Sequence, residues 1–178
     1  VSRGISENKI VVIYNGVDGK KIIRKSKEEY YNHAKLKLFM AGGIFETKGQ
    51  YQVIEAMALL PEEIKGNVIF DMYGWSESNY IHQLEMRIKE LGLENQVKWK
   101  GQVNSINEIL HLYDVGLTCS KAEGFGRVTA EYMHAGLGII VANTGANSEL
   151  ITDGMNGQIY QYGNYEDLAN KISVYYYD

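Results

Sequence analysis

Glu123 and Glu131 stand eight positions apart, at the two ends of the run Glu123-Gly-Phe-Gly-Arg-Val-Thr-Ala-Glu131. Alone, such a pair means little: on a surface helix Arg127 and Glu131 would form an i,i+4 ion pair worth about 0.3–0.5 kcal/mol. The turn Gly124-Phe125-Gly126 changes the reading. It follows the apolar run Val115–Cys119 and leads into helical spacing. A strand, a glycine-rich turn and a helix start make an anion site, because unpaired backbone N–H groups and the helix dipole face the turn. Ionised carboxylates are acceptors only, and one can engage two adjacent hydroxyls, as on a ribose. A Glu on an otherwise buried helix is costly without such partners. An anion flanked by hydroxyls describes a nucleotide sugar.

Lys48, in Gly42-Gly43-Ile-Phe-Glu-Thr-Lys48-Gly49, is the next candidate. An isolated Lys before a helix is ordinarily a solvated charge. Beside a phosphate it could instead pair with the negative charge, and Gly49 would let the backbone approach and start the helix. The formal net charge of −4 gives no electrostatic reason to expect nucleic acid or an anionic membrane as partner. A phosphate site must therefore be built locally, from backbone amides with Lys48 and Arg127. Glu149 is open to two readings, a first-turn Glu complementing a helix dipole or a binding group. None of His33, His82, His111 or His134 has metal-ligand spacing, so no metal or other cofactor is expected.

The elements that would position these groups follow from periodicity. Ile10–Tyr14, Leu36–Ala41, Asn67–Tyr73, Gln96–Lys100, Val115–Cys119, Ile139–Ala142 and Gly157–Tyr160 read as strands. Helices are expected at 50–60, with Val53, Ala56, Met57 and Leu60 on one face, and at 80–91, with Ile81, Leu84, Ile88 and Leu91. Others are expected at 107–113, 125–134, 148–151 (one turn) and 165–174. Pro61 falls where a helical pattern could end. Strands alternating with helices predict an α/β, doubly wound (Rossmann-like) parallel sheet with helices on both faces. In such sheets ligands lie outside the C-terminal strand ends, which selects residues 42–49, 74–79, 101–104, 120–127 and 143–149.

The length, 178 residues with 45% hydrophobic and 22% charged content, fits one well-buried domain spanning 1–178. Cys119, the only cysteine, excludes an internal disulfide and favours a reducing, cytoplasmic home. It reads as a small buried thiol. No run reaches the ~20 apolar residues of a membrane span. The tyrosine-rich tail at Tyr175-Tyr-Tyr177 reads as a surface without its packing partner, and the chain as an excised fragment.

The Glu-(seven residues)-Glu segment resembles the signature of the retaining, group 1 nucleotide-sugar glycosyltransferases, which have the GT-B fold. Val12-Ile-Tyr-Asn-Gly-Val-Asp18 is similar to that family's strand leading into its C-terminal domain. Ala41–Gln50 resembles its phosphate-binding Lys-Gly loop, and Asn143–Ile151 and Asp153–Gly157 its next two loops, in order. The resemblance covers nearly the whole chain and implies the C-terminal, donor-binding half of a two-domain enzyme. By it, Lys48 and Glu123 are catalytic, Lys48 on the diphosphate leaving group and Glu123 on the donor sugar. Gly42, Gly43 and Gly49 shape the phosphate loop. Gly124, Phe125 and Gly126 offer amides to sugar hydroxyls, Arg127 and Val128 meet the diphosphate, and Glu131 holds the ribose. The implied partners are a nucleotide sugar, an N-terminal acceptor domain that is missing here, and a glycan or lipid-linked acceptor. The parent enzyme would be cytoplasmic or peripheral at the inner face of the membrane, would use no metal, and its fragment alone would be inactive. The rival reading is a stand-alone nucleotide-sugar-binding module. The sequence departs from the pattern at Gly43, where many relatives carry Arg, after Gly74, where an acidic residue is usual, and at Gly138, which replaces a proline.

Overall fold

A computed structural model describes residues 4, 6–26, 35–76 and 78–177. Six strands form one all-parallel sheet: β1 (Leu36–Ala41), β2 (Val68–Tyr73), β3 (Val97–Trp99), β4 (Val115–Thr118), β5 (Gly138–Ala142) and β6 (Gln158–Tyr160). Their spatial order is β3-β2-β1-β4-β5-β6. The chain thus winds outward in one direction from β1, returns to the middle, and winds outward in the other. The helices are α1 (Gln50–Ala58), α2 (Glu62–Lys65), α3 (Ser78–Glu90), α4 (Arg127–Ala135), α5 (Asn147–Leu150) and α6 (Tyr165–Tyr177).

Alternation along each strand divides the core in two. Leu38, Met40, Phe70, Met72, Leu117 and Ile140 face α1, α3 and α6, where Val53, Met57, Leu84, Leu168 and Ile172 meet them. Phe39, Tyr73, Ile139 and Val141 face the other side, packed with Tyr113, Tyr132 and Ala135. The stripes expected of α1 and α3 face the core: Val53, Ala56, Met57 and Leu84 are fully buried, Leu60, Ile81 and Ile88 nearly so, and Leu91 partly. The doubly wound expectation therefore holds.

Several local expectations do not. Ile10–Tyr14 is not a strand: it pairs with no described strand, and Val11, Val12 and Ile13 are 69–86% exposed. Its apolar, β-branched residues favour extended backbone, but the sheet ends at β3 and β6 and neither edge receives it. The helix expected at 107–113 is two 3₁₀ turns, Ile106–Glu108 and Leu110–Leu112. The motif helix starts at Arg127 rather than Phe125, because Gly126 takes a left-handed conformation (φ 79°, ψ 42°). The tyrosine tail is packed: Tyr175 bonds Ile139 at both its N–H and its carbonyl, Tyr176 receives a bond from Asn67, and Tyr177 donates to Glu63. His33 and residue 77 of the 74–79 loop lie outside the described residues.

Candidate donor site at the centre of the sheet

The winding reverses between β1 and β4. At such a switch point the loops leaving the two strands diverge to opposite faces and open a crevice at the C-terminal edge. Those loops carry Lys48 and Glu123. The two sides meet closely: the Lys121 amide donates to the Thr47 carbonyl at 2.9 Å, and Gly49 lies against the backbone of Cys119. A Cβ on Gly49 would sit 2.1 Å from the Cys119 carbonyl oxygen, and its φ of +83° already favours glycine. Gln52, buried in α1, fastens the same spot by donating to the Cys119 carbonyl at 3.0 Å. Burial pushes the Cys119 thiol up to about 12, which leaves it inert.

Across this seam Lys48 Nζ lies 3.7 Å from Glu123 Oε2, the side chains 38% and 19% exposed. The two residues given chemical roles thus face each other, one from each side. The Glu123 loop leads through Gly126 into the N-terminus of α4. Gly126 caps it without a side-chain hydrogen bond, so the amides of Arg127 and Val128 are directed at the turn. No side chain within 4 Å would meet a Cβ on Gly124, which leaves that backbone open. The turn is braced from behind: Ala146 donates to the Glu123 carbonyl at 2.9 Å, and a Cβ on Gly145 would meet that same oxygen at 2.1 Å.

Glu131 lies one turn into α4. Its side chain is 16% exposed, and Arg127, 73% exposed, stands 3.7 Å away. Burial holds the Glu131 carboxyl above the ordinary glutamate value, with Arg127 opposing the rise. Arg127 is therefore directed along the helix towards Glu131, while Lys48 is paired with Glu123. The helix itself is fixed to the sheet by Tyr132, whose hydroxyl accepts from the Ala41 amide at 2.8 Å, and by Thr129, buried and 2.8 Å from Thr118.

Gly42 ends β1, its amide donating to the Tyr73 carbonyl at 2.9 Å. Gly43 gives its carbonyl to Gln50 Nε2 at 3.1 Å. The space that a side chain at Gly43 would need is filled by the ring of Phe45, 2.1 Å from an ideal Cβ. Phe45 in turn contacts Trp75, with ring centroids 5.7 Å apart. The absent arginine is thus accompanied by an aromatic pair in its place.

Two contacts were missed by sequence reasoning. Tyr14 crosses to the site, its ring 5.7 Å from Phe125 and its hydroxyl donating to Glu149 at 2.7 Å. Lys25 is buried against the Tyr113 carbonyl and the Asp114 carboxylate. Both span more than 85 residues, and nothing local in the sequence marks them. Among the described residues no cluster of three or more His, Cys, Asp or Glu is placed to hold a metal, and no helix is long and apolar enough to cross a membrane.

An all-parallel, doubly wound sheet whose winding reverses between β1 and β4 defines a domain of the GT-B type. The chain belongs to the group 1 glycosyltransferase family, whose sequence profile matches residues 21–176. It is 32% identical over 131 residues to EpsD of Bacillus subtilis, named as a glycosyltransferase, covering 73% of this chain and 33% of that protein. It superimposes on HepE of Anabaena, solved with UDP and glucose, with a TM-score of 0.87 and 28% identity, covering 99% of this chain and 50% of that one. The C-terminal domain of LpcC from Francisella tularensis shares the fold, with a TM-score of 0.78 and 24% identity, over 92% of this chain and 89% of that one. The chain spans between a fifth and a half of the length of the curated relatives it matches.

Proposed function

We propose that this chain is the donor-binding domain of a retaining hexosyltransferase that takes its sugar from a uridine diphosphate donor. The observation that carries the reading is the Lys48–Glu123 pair across the β1/β4 crevice, in the loop that leads through Gly126 into the start of α4. The diphosphate would displace Glu123 as the partner of Lys48 and receive the amides of Arg127 and Val128. Glu123 would then turn to the hydroxyls of the donor sugar, with the amides at Gly124, Phe125 and Gly126 beside it. Glu131 would accept from the ribose hydroxyls. As the glycosyl–phosphate bond lengthens, negative charge gathers on the departing oxygen, and a fixed cation there lowers the barrier without a metal. Same-face attack, assisted by that phosphate, would retain the anomeric configuration.

HepE, at 28% identity, was solved with UDP and glucose, which supports uridine as the base and a hexose as the sugar. The chain covers half of HepE and a third of EpsD, which supports an acceptor half lying on a second, N-terminal domain. The acceptor would be a glycan or lipid-linked sugar, met in the cytoplasm or at the inner face of the membrane. The test is calorimetric titration of the chain with UDP, GDP and ADP. UDP is expected to bind in preference, and Glu131→Ala to weaken it by about tenfold or more, the loss of a charge-assisted bond. Equal binding of all three, or UDP affinity unchanged in the variant, contradicts the reading.

A further inference from the structure

A second cleft, of about 370 Å³, opens on the same edge of the domain, on the α1/α3/α6 side of the phosphate loop. Four of its nine lining residues are tyrosines, in a chain with 14 in 178. Tyr51 comes from the first turn of α1, Tyr80 from the first turn of α3, Tyr165 from the start of α6, and Tyr162 from the loop before it. Among the described residues the only ionisable groups besides the phenols belong to Glu46, and no lysine, arginine or histidine lines it.

The walls are fixed. Arg87 holds Glu55 through two bonds, 2.6 and 3.0 Å, and that carboxylate lies against the Tyr51 hydroxyl, raising its pKa. Tyr165 meets the Tyr51 ring edge-on, centroids 6.3 Å apart. The floor is tied down by Gln52, which accepts from the Gly163 amide at 2.8 Å while its Nε2 holds Cys119. Burial pushes the Tyr80 hydroxyl up to about 12.

We propose that this cleft binds one or two rings of a neutral saccharide, on the far side of the phosphate loop from the nucleotide, with Glu46 and Gly49 of that loop as the shared wall. Tyrosine faces suit the apolar C–H face of a sugar ring, and rigid aromatic walls lose little entropy on contact. Glu46 and Gln83 at the mouth offer acceptors, and Gln83 a donor, to ring hydroxyls. A lone carboxylate without a cation disfavours phosphate, so the nucleotide's diphosphate is the wrong ligand here. The assignment rests on the chemistry of the cleft itself, and the two sites answer to different ligands.

Amide and side-chain NMR signals of the 178-residue chain, titrated with maltose, cellobiose or diacetylchitobiose to about 50 mM, well above a millimolar Kd, test it. At least one disaccharide is expected to give saturable shifts at Gly163, Tyr165 and the Gln83 side-chain amide, with Gly124 and Gly126 unmoved. Tyr162→Ala is expected to weaken that binding about fivefold or more while UDP affinity stays within twofold. Tyr162→Leu, which keeps apolar bulk but no ring, should do the same if the alanine variant folds poorly. Absence of shifts with all three sugars, shifts confined to Gly124 and Gly126, or affinity undiminished in both variants overturns the proposal.

Discussion

Glu131 is the residue whose environment most exceeds a structural need. Its side chain is only 16% exposed and its ion-pair partner is a mostly exposed arginine at 3.7 Å, while the proposed donor would bring it hydroxyls. Its pKa is raised because burial disfavours the charged form. The linkage runs accordingly: the folded chain holds this proton more tightly than the unfolded one. The resulting stabilisation is full below the unfolded pKa and is lost as pH rises through the folded value. At neutral pH the ionised side chain is therefore a cost to the ligand-free fold, which the proposed ribose hydroxyls would offset. Glu131→Gln should leave the ligand-free melting temperature unchanged or raise it, by no more than roughly 2–4 °C, the shift that 1 kcal/mol brings in a domain of this size. UDP affinity of the native chain should fall on acidification, starting above the pH where an ordinary glutamate titrates. That portion of the fall should vanish in Glu131→Gln. A native-like pH profile in the variant would remove Glu131 from the ribose.

At the scale of elements, the site depends on how closely two loops approach. Gly49 is both the left-handed start of α1 and the point where the β1 loop touches the β4 loop. An added Cβ meets a backbone carbonyl at 2.1 Å, and backbone, unlike a side-chain end, cannot swing aside. Gly49→Ala should therefore cost more than the ~1–2 kcal/mol of a left-handed alanine, read as a lower urea midpoint, and should weaken UDP by parting Lys48 from Glu123. A native midpoint would mean that the loops can separate freely. This seam also shows what sequence could convey. Apolar runs located β1, β2, β4 and β5, the first two closed by glycines, and the Lys-Gly and Glu-(seven residues)-Glu runs located the two halves of the crevice. The meeting of those halves was not legible, since it depends on strand order. Ile10–Tyr14 misled for a related reason: β-branched residues specify extended backbone, but only a neighbouring edge makes a strand. The start of α4 moved two residues because a left-handed Gly126 caps a helix as readily as it could be passed over.

At the scale of the whole molecule, the fold is closed by its last helix. After β6 the chain crosses back to the α1 side, so α6 packs there with Leu168, Ala169 and Ile172 and ties the end of the winding to its beginning. Its terminal turn performs a specific task. β6 begins opposite Ile140, so the preceding residue of β5, Ile139, has no strand partner on that side. Tyr175 supplies one, its hydroxyl accepting from the Ile139 amide at 3.0 Å and donating to its carbonyl at 3.1 Å. Gly138 makes this approach possible, since a Cβ there would lie 2.5 Å from the Tyr175 ring. The glycine that replaces a proline and the tyrosine tail are thus one device, 37 residues apart in the chain. Tyr175→Phe should cost about 1–3 kcal/mol, the price of leaving buried backbone groups unpaired. Gly138→Ala should cost a similar amount by displacing the ring. Because both act through the same contact, the double variant Gly138→Ala/Tyr175→Ala should be less destabilised than the sum of its two single changes, by about 0.5 kcal/mol or more in urea unfolding. Strict additivity would mean that Gly138 acts on the strand alone and that the tail is held by α6 packing without it.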